Sequence, residues 1–205
     1  MARLSRIDRT LTVKVVYYGP GLCGKTTNLV QLHGAYPDEV RGKVVKLDTE
    51  TERTLFFDYF PADLGQVGGY RLKAEFYTVP GQSFYNATRK AVLEGVDGLV
   101  FVADSSLDRE EANLVSMQNL RDNLAAMGAE LDELPLVLQW NKRDLPRTIS
   151  VKVLERQLNP RGLPSMEAVA TTGEGVWETQ EAVLQGVLTS LRQRARRRRH
   201  ARARG

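Results

Sequence analysis

Eight consecutive residues, Gly19-Pro20-Gly21-Leu22-Cys23-Gly24-Lys25-Thr26, fit the pattern G-x-x-x-x-G-K-[ST] at every position. An apolar, strand-like segment precedes them and a helix-like segment follows, which is the context this pattern needs. Glycines at 19, 21 and 24 let backbone N–H groups turn inward around phosphate oxygens, with Leu22, Cys23 and Thr27 completing the lining. Lys25 would reach the β- and γ-phosphates, and the Thr26 hydroxyl would ligate Mg²⁺. This chemistry specifies a nucleoside triphosphate without specifying the base.

Asn141-Lys142-Arg143-Asp144 addresses the base. The Asp144 carboxylate can accept two hydrogen bonds, from guanine N1–H and the 2-amino group. Adenine has no donors in that arrangement and would leave the carboxylate unpaired, at a cost of several kcal/mol, on the order of ~3. Val169-Ala170-Thr171 follows the last strand-like segment, where a backbone N–H from Ala170 or Thr171 can meet guanine O6.

The segments that must hold these residues alternate in type. Residues 13–18 are β-branched and aromatic and run into the glycine-rich turn; residues 25–36 place Leu29, Leu32 and Tyr36 at helical spacing. Strands are expected over 72–78, 98–104, 135–141 and 166–170, the second almost continuously apolar, as a strand buried on both faces is. Helices are expected over 110–127, with Leu114, Met117, Leu120, Leu124 and Met127 inward, over 151–158, and from about 175 onward, burying Val183, Leu184, Val187, Leu188 and Leu191. Repeated β-then-α order predicts an α/β fold, a mostly parallel central sheet with helices on both faces and ligands at the carboxyl ends of its strands. No internal repeat is present. One domain over residues 1–191 and an arginine-rich tail over 192–205 account for the chain of 205 residues.

The net charge of +4 is unevenly spread. Arg192 to Gly205 holds eight arginines and no acid; taking those eight from 29 leaves 21 basic residues against 25 acidic, a body of net −4. Such a tail cannot build a core, and its like charges predict disorder or a frayed helix extension. Its targets would be anionic lipid or, without an aromatic residue to stack on bases, sequence-blind nucleic acid. No apolar run reaches membrane-spanning length, and the first ten residues lack the apolar stretch of a secretory signal. Neither Gly at position 2 nor a terminal prenylatable Cys is present, and one cysteine cannot make an internal disulfide. These features predict a cytoplasmic protein, peripheral at the inner membrane if the tail finds lipid.

The order of these motifs resembles that of Ras-like GTPases. Thr78-Val79-Pro80-Gly81-Gln82 stands in place of the usual Asp-x-x-Gly-Gln, preceded by Thr49-Glu50-Thr51-Glu52-Arg53-Thr54-Leu55-Phe56-Phe57-Asp58. Together with Val15-Val16-Tyr17-Tyr18-Gly19-Pro20-Gly21-Leu22 and Gly95-Val96-Asp97-Gly98, these resemble the MglA family of bacterial polarity and motility GTPases over roughly residues 10–190. The resemblance implies a P-loop, Ras-like G domain that switches between GTP and GDP with Mg²⁺. It implies that Gln82 orients the attacking water, that the Gly81 N–H touches the γ-phosphate, that Arg53 is an arginine finger supplied in cis, and that Thr54 senses γ-phosphate and Mg²⁺. It also implies a Roadblock-type, MglB-like GTPase-activating partner, and effectors docking beside the first switch.

Several positions leave alternatives open. Thr78 replaces a carboxylate that would hold the Mg²⁺ shell, so weaker metal binding is expected, and a non-hydrolysing GTP-binding platform stands as the alternative to a hydrolytic switch. Cys23 is either small filler or, beside Lys25 at a helix N-terminus, a thiol of lowered pKa and raised reactivity. The aromatics Phe56, Phe57, Tyr59 and Phe60 read as core packing or as a partner-binding edge. Trp140 reads as packing. No acceptor-substrate lid or catalytic base of a metabolite kinase is seen.

Overall fold

The computed structural model describes residues 2–47, 57–81 and 85–202. Eight strands form one sheet: β1 (Arg3–Ser5), β2 (Thr10–Tyr18), β3 (Val45–Leu47), β4 (Phe57–Val67), β5 (Tyr70–Thr78), β6 (Gly98–Asp104), β7 (Leu136–Asn141) and β8 (Ser165–Glu167). Five helices accompany them: α1 (Lys25–Ala35), α2 (Asn86–Leu93), α3 (Glu110–Ala126), α4 (Val151–Leu158) and α5 (Val176–Arg202). The strand order is β3-β4-β5-β2-β6-β7-β8, with β1 paired to β2. From β5 through β2, β6, β7 to β8 all pairing is parallel; β3, β4 and β1 join antiparallel. A two-residue turn, Gly68-Gly69, with both φ angles positive, folds β4 back onto β5.

Alternation along β2 divides the core. Val13, Val15 and Tyr17 pack with Leu29 and Leu32 of α1 and with Val183, Leu184 and Val187 of α5. Val16 and Tyr18 pack on the other face with Val92 and Leu93 of α2, Met117, Leu120 and Leu124 of α3, and Leu154 and Leu158 of α4. Every residue of β6 is buried, because helices cover both of its faces. Trp140 belongs to the second cluster and donates its indole N–H to Glu155, so it is a packing residue.

Two expectations are corrected. Leu114 and Met127 of the α3 region are exposed; the buried stripe runs through Met117, Leu120 and Leu124 with the polar Asn113 and Asn123, whose amides serve β6 and Tyr18. The last sheet segment ends at Glu167 rather than 170, where the chain turns to form a loop. The arginine-rich segment, for which disorder or a helix extension was expected, continues α5 through Arg202. Arginine, alanine and glutamine are all strong helix formers, and a helix already nucleated on the sheet extends at little cost.

Candidate nucleotide-binding site

The phosphate-loop residues lie between the end of β2 and the start of α1. Their backbone N–H groups gather at the N-terminus of α1, which suits them to cradle an anion. Leu22 holds a left-handed backbone, φ 64°, with its side chain in solvent. The buried Lys25 ammonium is anchored from below, donating to Gly19 O at 3.0 Å and Pro20 O at 2.6 Å, which fixes its long side chain under the loop.

The base side is fastened to this loop by one side chain. Asn141, buried at the end of β7, donates to Cys23 O at 2.8 Å and accepts from the Ala170 N–H at 2.9 Å. Gly24 has φ 100°, and a Cβ there would lie 2.2 Å from Asn141 Nδ2, so glycine is required where the loop meets this strut. The Ala170 N–H is thereby spent on protein. The Thr171 N–H has no acceptor among the described residues.

Lys142, at φ 67°, donates its ammonium to Asp104 at 2.6 Å. Burial alone would raise the Asp104 carboxyl, but Lys142 and the Ser106 hydroxyl and amide outweigh it and hold it below the usual carboxylate range. Arg109, just before α3, donates to Gly21 O at 2.6 Å and stands 3.7 Å from the same carboxylate, linking the phosphate-loop tip to the base side. Asp144 is exposed in the turn after β7.

On the opposite flank the sequence reading missed a residue. Asp58, near the start of β4, accepts from the Thr26 hydroxyl at 2.5 Å and from the Thr78 hydroxyl at 3.2 Å, while its own N–H donates to Thr78 Oγ1 at 2.8 Å. A carboxylate therefore does stand beside Thr26, supplied by the neighbouring strand instead of by position 78. Gly81 runs against the loop tip so closely that a Cβ there would lie 2.4 Å from Gly21 Cα. Arg53, Thr54 and Gln82 lie outside the described residues, as does Phe56.

Cys23 corrects the expectation of a reactive thiol. It is fully buried, and burial pushes its pKa up more strongly than Lys25, 3.6 Å away, pulls it down. Of the aromatics near the first switch, Phe60 is core, packed against Phe76 at a tilt and against His33 edge-on, while Tyr59 lies against Tyr77.

No family model matches the chain. Over 192 residues, covering 94% of this chain and 98% of the relative, it is 50% identical to the Mutual gliding-motility protein MglA of Myxococcus xanthus (strain DK1622). The chain belongs to the MglA family. Its relatedness reaches further: it is 27% identical over 203 residues, 94% of this chain and 97% of the relative, to ADP-ribosylation factor-like protein 4C of Homo sapiens. This MglA-family chain is thus a small GTPase with the Ras-like P-loop fold, a guanine-nucleotide switch whose sheet and phosphate loop are those described above. Among the described residues, no helix is long and apolar enough to cross a membrane.

Proposed function

We propose that this GTPase holds GTP or GDP together with Mg²⁺, hydrolyses GTP slowly alone and faster with a Roadblock-type partner, and acts in bacterial polarity or gliding motility. The observation that carries the reading is the Asn141 strut, which joins phosphate loop and base loop into one preformed guanine-nucleotide cradle. The gliding-motility relative, half identical to this chain, supports the cellular role.

The residues present fit Mg²⁺. The Thr26 hydroxyl and the Asp58 carboxylate are hard oxygen donors side by side, and a single carboxylate suits an ion that takes its remaining ligands from water and phosphates. Thr26 would bind it directly, Thr54 would join from the first switch, and Asp58, backed by Thr78, would hold the outer shell. When bound, such an ion would supply positive charge to offset that of the phosphates. Lys25 and the loop amides bind the phosphates, Asp144 and Thr171 read guanine, the Gly81 N–H meets the γ-phosphate, Gln82 orients the attacking water, and Arg53 neutralises charge on the transferring phosphoryl. Single-turnover GTP hydrolysis with and without a Roadblock-type protein tests this: acceleration is expected, and an unchanged rate would refute the partnership.

Effectors would dock at the β3–β4 edge. The helical arginine extension supplies an attachment to anionic lipid, each arginine near such a surface contributing about 1 kcal/mol. Six arginines and no acid lie between Arg192 and Arg199, so contact with lipid would be electrostatic. Liposomes containing phosphatidylserine should sediment the full chain at low salt and release it at high salt. Equal sedimentation of a chain truncated after Leu191 would remove the tail from this role, and tight duplex binding with no liposome binding would assign it to nucleic acid.

A further inference from the structure

Arg89 of α2 is a buried cation that none of the roles above uses. It is 4% exposed, and among the described residues no carboxylate pairs with it. Its guanidinium is satisfied by neutral oxygens: Nε donates to Pro80 O at 2.9 Å, Nη2 to Gly81 O at 2.7 Å and Nη1 to Asn119 Oδ1 at 2.6 Å. Its face lies 5.6 Å from the centre of the Tyr18 ring. Burying an unpaired cation is costly, and a packing role alone would be met by an apolar side chain at less cost. What only the planar fork supplies is a simultaneous grip on two successive backbone carbonyls.

Those carbonyls flank Gly81. The Pro80 carbonyl and the Gly81 N–H belong to one planar trans peptide and point in opposite directions, so fixing the carbonyl toward Arg89 fixes the N–H away from it. The Gly81 carbonyl fixes the next peptide plane. Glycine, the residue freest to rotate, is thus held on both sides, and it is held where its backbone abuts Gly21 of the phosphate loop. Asn119 completes the brace from α3, in a network with Asn123, Asn86 and Tyr18.

We propose that Arg89 is a positioning residue that presets the Gly81 amide for the γ-phosphate, so that discrimination of GTP from GDP depends on an arginine that contacts neither. This rests on the assignment of the Gly81 N–H as the γ-phosphate contact. The test is a pair of affinities, for GDP and for a non-hydrolysable β,γ-imido GTP analogue, in the full chain with Mg²⁺. In Arg89→Ala the analogue should bind about tenfold more weakly while GDP stays within about twofold. Arg89→Lys should recover only part of the ratio, because an ammonium cannot reproduce the fork. An analogue-to-GDP ratio unchanged in Arg89→Ala, with both affinities and the melting temperature falling together, would show a merely structural arginine and overturn the proposal. Should Arg89→Ala fail to fold, Asn119→Ala decides: of the three bonds of Arg89 it removes only the third, and it should shift the same ratio in the same direction by less; no shift overturns the proposal. Failure of wild-type protein to bind GDP at all would instead overturn the nucleotide site itself.

Discussion

The two halves of the sheet are built differently. The parallel half, β2-β6-β7-β8, carries the phosphate loop and the base loop, and its polar residues are buried and interlocked: Asn141 between two loops, Asn28 with Gln139 at 2.8 Å, Lys142 on Asp104. The other half, where β3 and β4 turn antiparallel onto β5, carries Asp58, Thr78 and the approach to Gly81, held mainly by hydroxyl–carboxylate contacts and by Arg89. Buried, fully bonded amides resist rearrangement because each broken bond strands a polar group. A hydroxyl on a carboxylate exchanges readily for metal or water. On the proposed reading the molecule separates recognition, on the interlocked parallel side, from the response to the γ-phosphate, on the other.

The sharpest way to break this division on the recognition side is Asp144→Asn. It should cost GTP affinity about 3 kcal/mol, roughly a hundredfold, while xanthosine triphosphate binding appears, because the amide can donate to the C2 carbonyl. Competition titration checks it, and an unchanged GTP preference would remove Asp144 from the base site. On the response side, Asp58→Ala should raise the Mg²⁺ concentration needed to retain nucleotide by about tenfold, as loss of an outer-shell carboxylate does, with the fold intact by melting temperature. If the Mg²⁺ requirement does not move, Thr78 is uncompensated and Asp58 is a strand-end polar contact. The smallest effect belongs to Cys23. Its raised thiol pKa leaves less thiolate at pH 8 than an exposed cysteine has, so alkylation of folded protein should be slower than that of free cysteine and should accelerate only on unfolding. Fast modification of folded protein would return it to the reactive class.

Legibility in the sequence followed the same divide. In the parallel half, β6 at 98–104 is readable because burial on both faces leaves a continuous apolar run, and α4 at 151–158 because one buried stripe leaves a periodic trace. β1 and β3, three residues each, hold no period to read, and α2 hides behind Asn86, Thr88 and a buried Arg89. Asp58 escaped because a lone acid among aromatics has no pattern. Its signal was indirect: Thr78 lacks a carboxylate, and Tyr59 pairs with Tyr77, so Asp58 is the acid the adjoining strand brings beside it. That Asn141 is a strut between the two loops needed the fold, since both of its partners are far away in sequence.

The central claim, that binding and hydrolysis are carried by separate parts of the molecule, is met most directly by measuring both in the same variants. Single-turnover hydrolysis with a saturating Roadblock-type partner, alongside GDP and GTP affinities, should be done for Gln82→Leu and Arg53→Ala. Hydrolysis should fall at least about 100-fold in each, with affinities within about threefold and the double variant little worse than either, because residues acting in one transition state are non-additive. Affinities falling in step with rate, or full stimulated activity in Arg53→Ala, would contradict the account.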